Sequence, residues 1–155
     1  PFKVAIGSWY STTQYEDTSG TDRSNNRGYY ATGELRLAGS GNSAKLNGFA
    51  QLGSAESDRN DLDGYIGAGL TLNEFSSSRP DDILGLAFAS AYTSDSYRDS
   101  TSDTNGAETA IEVTYQFAVN EYVFIQPSIQ YIINPGADAS TDDATILSVR
   151  GQFSF

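Results

Sequence analysis

The chain contains no cysteine and no histidine. The first absence rules out disulfides, thiolate metal sites and cysteine nucleophiles, and the second removes the commonest general base and metal ligand. Cations are scarce as well: 9 Lys and Arg stand against 20 Asp and Glu, for a net charge of −11. Nucleic acid is thereby excluded as a partner, because binding it needs a surface that neutralises phosphates. Long apolar runs are also missing. The longest mainly apolar stretch, Ile83–Tyr92, has ten residues, half of what a membrane-spanning helix needs but enough for a tilted spanning strand. Helix-forming Leu and Lys are sparse while Gly, Ser, Thr and Tyr are plentiful, which suits strands and turns. There is no signal peptide, and the sequence starts on Pro1, as expected of a mature, processed or excised segment. Residues 1–155 are one domain's worth of chain, with no linker.

What is present is alternation. Between Ala144 and Phe155 one face carries Leu147, Val149, Gly151, Phe153 and Phe155, and the other carries Ser148, Arg150, Gln152 and Ser154. A period-2 segment of this length, with its polar face turned inward, is the unit of a transmembrane β-barrel, although an edge strand of a soluble sandwich can alternate too. Alternation bounded by turn residues predicts eight strands, at 2–14, 28–38, 45–55, 64–74, 83–93, 108–119, 122–133 and 144–155.

The connections differ by chemistry. Segments 15–27, 56–63, 94–107 and 134–143 hold thirteen of the acidic residues and four basic ones, whereas 39–44, 75–82 and 120–121 hold three acids and one Arg. Outer-membrane barrels have long loops outside and tight turns in the periplasm, so the acidic segments are expected outside. Carrying the outward parity through each strand puts Tyr10, Tyr29, Tyr92 and Tyr131 near the acidic end, and Phe2, Phe117, Phe153 and Phe155 near the other. Between these two girdles the outward positions, such as Val4, Leu35, Leu52, Leu70, Leu86, Val113 and Ile129, bear no charge. A sandwich has no reason to place aromatics at both ends of an uncharged band. The fold class expected is all-β, a transmembrane antiparallel β-barrel.

The segments RPDDILGLAFA (Arg79–Ala89) and ETAIEVTYQFAVNEYVFIQPSIQYIINPG (Glu108–Gly136), followed by a last strand ending in Phe, resemble the carbohydrate-selective porins of the OprB type. WYSTTQY (Trp9–Tyr15) and FAQLG (Phe49–Gly53) match more loosely. The resemblance implies a bacterial outer-membrane porin for passive diffusion of carbohydrates and small polar solutes, with outer-membrane lipid and sugars as partners, no cofactor and no catalysis. The alternating final strand ending on Phe155 also resembles the signal read by the barrel-insertion machinery. The family's barrel has sixteen strands and this chain supplies eight. It is therefore either half of such a porin or a small barrel closing 2–14 on 144–155, with a filled interior and a role as anchor or adhesin.

The expected pore-lining residues are Trp9, Glu34, Arg36, Gln51, Glu112, Gln116, Gln126, Gln130 and Arg150. Carboxylates, amides and guanidinium groups exchange hydrogen bonds with sugar hydroxyls, and aromatic faces stack on pyranose rings. The competing expectation is a plug, with Glu34 or Glu112 paired to Arg36 or Arg150 in a buried core. Glu34 and Glu112 are also the two carboxylates a glycosidase would need, but inward acids are routine in barrels and nothing in the sequence fixes their separation. Asp58–Gly64 (DRNDLDG) departs from a calcium loop, with Arg59 at its first ligand position and Leu70 at its twelfth. Pro127 within a strand predicts a bulge or an unpaired position. Gly67, Gly69, Gly85, Ala87, Ala89 and Ala91 leave part of the inward face smooth, making room for bulky neighbours across the lumen or for an incoming loop or solute.

Overall fold

The computed structural model describes residues 2–17, 20–41 and 43–155; Pro1, Thr18 and Ser19 of the first acidic segment, and Asn42 of the 39–44 turn lie outside the described residues. Ten strands run in chain order: β1 (Phe2–Ser11), β2 (Tyr15–Glu16), β3 (Asp22–Arg23), β4 (Asn26–Ala38), β5 (Lys45–Ala55), β6 (Leu62–Asn73), β7 (Ile83–Thr93), β8 (Ala107–Asn120), β9 (Val123–Ile133) and β10 (Ala144–Phe153). Eight of them form one sheet in the order β1-β4-β5-β6-β7-β8-β9-β10, every neighbouring pair antiparallel. These are the eight strands expected from alternation, with ends shifted by up to three residues. Within the first acidic segment, β2 and β3 pair with each other as a separate two-stranded sheet.

The outward parity holds in every strand. Phe2 faces Leu35, Leu35 faces Gly48, Gly48 faces Leu70, Leu70 faces Leu86, Leu86 faces Val113, Val113 faces Ile129 and Ile129 faces Leu147, so one apolar row crosses the whole sheet. A slip of one residue in any strand would move its apolar set to the polar face, which is why the register is so strongly specified. This face has no protein cover. Ala137 is the one buried hydrophobic residue among those described, while Phe2, Val4, Ile6, Leu147 and Val149 are largely exposed. A water-soluble sandwich would bury such a face under a second sheet. Among the described residues no helix is long and apolar enough to cross a membrane.

The sheet is open. β1 and β10 stand at its two edges, which corrects the alternative of a small barrel closed by pairing 2–14 with 144–155. Closure would have packed the inward charges of Glu34, Arg36 and Arg150 into a narrow interior at a heavy desolvation cost, whereas all three are exposed here. At Pro127 the β8–β9 ladder stops at Thr114–Ser128 and resumes at Phe117–Ile125 with no shift of register. The proline thus gives the unpaired position rather than the bulge. Bulges occur elsewhere, between Arg36 and Ala38, Leu62 and Gly64, and Ala118 and Asn120.

Hydrogen bonds and ion pairs link the described residues of the acidic end. Ser94 starts the short helix α1 (Asp95–Ser100) by accepting the Tyr97 N–H at 3.1 Å, and its own N–H donates to the Asp61 carbonyl at 2.8 Å. The segment after α1 is tied to residues 134–143 by Asn105 N–H to the Ala137 carbonyl, 2.6 Å, and Ala139 N–H to the Asp103 carbonyl, 2.7 Å. All four basic residues of the acidic segments are used within them: Arg23 pairs with Asp17, Arg27 with Glu56, Arg59 with Asp58 and Arg98 with Asp95. Hydrogen bonds from Ser140 and Thr141 hold the Asp138 carboxyl below the usual carboxylate range. Asp143 is lowered likewise by the Tyr131 hydroxyl and the Asn134 N–H.

Candidate functional site

Strand alternation brings the expected lining residues to one face, and the register sorts them into rows. One inward row crosses all eight strands as Lys3, Glu34, Phe49, Gly69, Ala87, Glu112, Gln130 and Ile146. Gln51 lies one row nearer the acidic end, between Thr32 and Gly67. Arg36 lies one row nearer the short turns, opposite Asn47. Beyond it Gln116 faces Ile83, and Gln126 faces Arg150. Trp9 stands opposite Gly28 toward the acidic end.

Contacts on this face are sparse and polar. Gln130 donates to the Glu112 carboxylate at 3.3 Å, and Gln126 donates to the Thr114 hydroxyl at 2.8 Å. Lys3 approaches Glu34 at 3.9 Å with both side chains exposed, a pairing of little weight in water. Arg36 and Arg150 make no ion pair or side-chain hydrogen bond among the described residues. The expected plug, with Glu34 or Glu112 locked to Arg36 or Arg150, is therefore corrected: the acids take Lys3 and Gln130, and both guanidinium groups remain exposed. Charges that keep their hydration need no buried partner.

The same register decides against a glycosidase pair. Glu34 on β4 and Glu112 on β8 are four strand steps apart, which at about 4.8 Å per step is roughly 19 Å along the wall. Two carboxylates flanking one glycosidic bond stand about 5 to 9.5 Å apart. In the Asp58–Gly64 segment Asp58 turns to Arg59 and Gly64 already belongs to β6. Among the described residues no group of three or more His, Cys, Asp or Glu is placed to hold a metal ion.

Four inward aromatic rings share a feature that pattern reading missed. Each lies against a glycine. A Cβ built on Gly28 would fall 2.5 Å from the Trp9 ring, on Gly7 2.3 Å from Tyr30, on Gly69 2.5 Å from Phe49, and on Gly67 2.7 Å from the Tyr65 hydroxyl. Any other residue at these positions would push the ring off the wall. The smooth patch of Gly67 and Gly69 thus makes room for bulky neighbours on its own wall.

A second unforeseen cluster lies at the short-turn end, in the RPDD segment. Asp82 is 1% exposed. It accepts both Arg79 nitrogens Nε and Nη2, the Tyr115 hydroxyl, and the Ala118 N–H at 2.9 Å. Arg79 in turn donates to the Ala118 carbonyl at 3.0 Å and lies 3.7 Å over the Phe117 ring. These bonds, Arg79 foremost, hold the Asp82 carboxyl well below the usual range against the opposing effect of burial. The cluster fastens the β6–β7 connection to β8 on the outward side, where Tyr115 and Phe117 point. Only the RPDD spelling hinted at it; the partner Tyr115 is 33 residues away.

The solved structure of Pseudomonas putida OprB at high pH superposes on this chain with a TM-score of 0.89 at 21% identity, covering 100% of this chain and 45% of that one. At that identity the likeness speaks for the fold: this chain spans less than half the length of that porin, and its eight strands follow the same path. No curated sequence matches the chain. The family model described as carbohydrate-selective porin, OprB family, matches residues 3–155. With an open sheet whose outward face is apolar and whose inward face is polar, and a family match over almost its full extent, the chain belongs to the carbohydrate-selective porin OprB family.

Proposed function

We propose that this chain builds one arc of the wall of an outer-membrane porin, through which carbohydrates and other small polar solutes diffuse passively, without turnover or cofactor. The observation that carries this is that Arg36 and Arg150, on a polar face backed by an apolar one, make no ion pair among the described residues of this arc. The open edges agree with it. In a bilayer the free N–H and C=O groups of β1 and β10 require partners, which further strands of a larger barrel would provide. A barrel of about sixteen strands leaves an aqueous channel. The lining residues Glu34, Gln51, Glu112, Gln116, Gln126 and Gln130 then offer acceptors and donors to hydroxyls in place of water.

The test is ion current through the complete porin in planar bilayers, with and without sugar. Arg36→Ala and Arg150→Ala should alter current or sugar block while changing stability by no more than about 0.5 kcal/mol, as for exposed unpaired groups. Unchanged current together with a large loss of stability would reject the channel.

A further inference from the structure

We propose, resting on the channel function above, that Trp9, Tyr30 and Tyr65 form a stacking platform that selects solutes by the flat apolar face of a pyranose ring. The inference comes from how these rings are held. Trp9 on β1 and Tyr30 on β4 stand at adjacent cross-strand positions, Trp9 opposite Gly28 and Tyr30 opposite Gly7, and each ring lies down over the glycine that faces it. Tyr65 lies over Gly67 two positions along its own strand, in the row that runs Tyr30, Gly53, Tyr65. Two strand steps separate Tyr30 from Tyr65, roughly 10 Å along the wall.

Each of these rings has one side toward the glycine it covers and the other toward the interior. Trp9 is 43% exposed, Tyr30 52% and Tyr65 38%, so the outer faces are uncovered on this side of the sheet. An aromatic face carries negative quadrupolar charge. A pyranose presents outward C–H groups on its faces and hydroxyls around its edge, so its face suits the ring while its edge meets polar neighbours. Gln51 is one such neighbour, its Oε1 lying 3.5 Å from the Tyr65 hydroxyl. Because the glycines fix the rings in place, little side-chain freedom is lost when a sugar arrives.

The chemical distinction this makes is between a ring and an open chain. A hexopyranose and the straight-chain hexitol of the same carbon number carry similar hydroxyls, but the hexitol has no flat face. The experiment compares block of ion current by the two solutes in the complete porin. Wild type should be blocked by the pyranose at about tenfold lower concentration than by the hexitol. The double variant Trp9→Leu/Tyr30→Leu should bring the two concentrations together, in a channel whose ion current rises because bulk has left the lumen. Trp9→Phe/Tyr30→Phe should keep most of the preference. Gly28→Ala should weaken it with the ring still present, since its Cβ tilts Trp9 off the wall. Equal block by both solutes in a conducting wild-type channel, or a preference that survives in the Leu variant, overturns the platform alone. Absence of ion current in the wild type overturns the channel itself and the platform with it.

Discussion

Val113 sits near the middle of β8, faces outward, and has Leu86 and Ile129 directly opposite on the flanking strands. Replacing it by Arg puts a guanidinium into a row that reads Phe2, Leu35, Gly48, Leu70, Leu86, Ile129 and Leu147, with no carboxylate in it. A basic side chain on the lipid face near the midplane costs about 2 to 4 kcal/mol. At 1.4 kcal/mol per decade, that is roughly a thirty-fold to seven-hundred-fold loss in the ratio of inserted to uninserted protein. Ser148→Arg is the matched control. It adds the same group to the inward face of β10, opposite Ser128 and two residues from Arg150, where water can keep it hydrated. Reversible folding of the complete porin into lipid vesicles across a urea series gives both free energies. Expected are a loss of about 2 to 4 kcal/mol for Val113→Arg and about 0.5 kcal/mol or less for Ser148→Arg. Equal costs for the two, or no cost for Val113→Arg, would refute the assignment of faces.

Two further outcomes concern the ends of the barrel. Asp82 has its folded-state acidity shifted downward, so its contribution is fully present above the ordinary aspartate range and disappears only as pH falls through the lowered folded value. The Ala118 amide, bonded to Asp82, should accordingly stay protected from hydrogen exchange at acidities where exposed carboxyls have already protonated; loss of protection in the ordinary aspartate range would contradict this, and Asp82→Asn should lower protection at every pH. Ser94→Ala removes the N-cap of α1 and should cost about 1 kcal/mol, read as faster proteolytic cutting within 94–107; an unchanged cutting rate would show that the ties of this segment to Asp61 and 134–143 suffice without the cap.

How much of this was legible in sequence follows from the range of each signal. Strand number and face come from a period-2 pattern within each segment, so residues as far apart as Phe2 and Leu147 fall on the face expected of them. The nine residues expected to line the pore were likewise chosen by parity, and the register places them on one face. Their partners were not. Pairing Glu112 with Gln130 rather than an Arg depends on the register between β8 and β9, which parity alone leaves open by steps of two. The rings over glycine needed the same cross-strand register, since nothing near Trp9 in sequence says that Gly28 will face it. The Asp82 cluster draws on Tyr115 and Ala118 from a distant strand, and Asp81 beside it looks equally suitable in sequence. Closure was undecidable for a related reason: alternation fixes neighbours but says nothing about whether the outermost strands meet.

The central claim is that alternate residues of one strand face water and lipid, and the absence of cysteine from these 155 residues allows a direct measurement. Glu112→Cys and Val113→Cys are adjacent on β8, the first opposite Ala87 and Gln130 on the inward face, the second opposite Leu86 and Ile129 on the outward one. With the complete porin conducting in a planar bilayer, a water-soluble, membrane-impermeant thiol reagent is added. Glu112→Cys should react and its current should fall, while the current of Val113→Cys should not change. A fall in current at Val113→Cys, or an unreactive Glu112→Cys, would contradict the account.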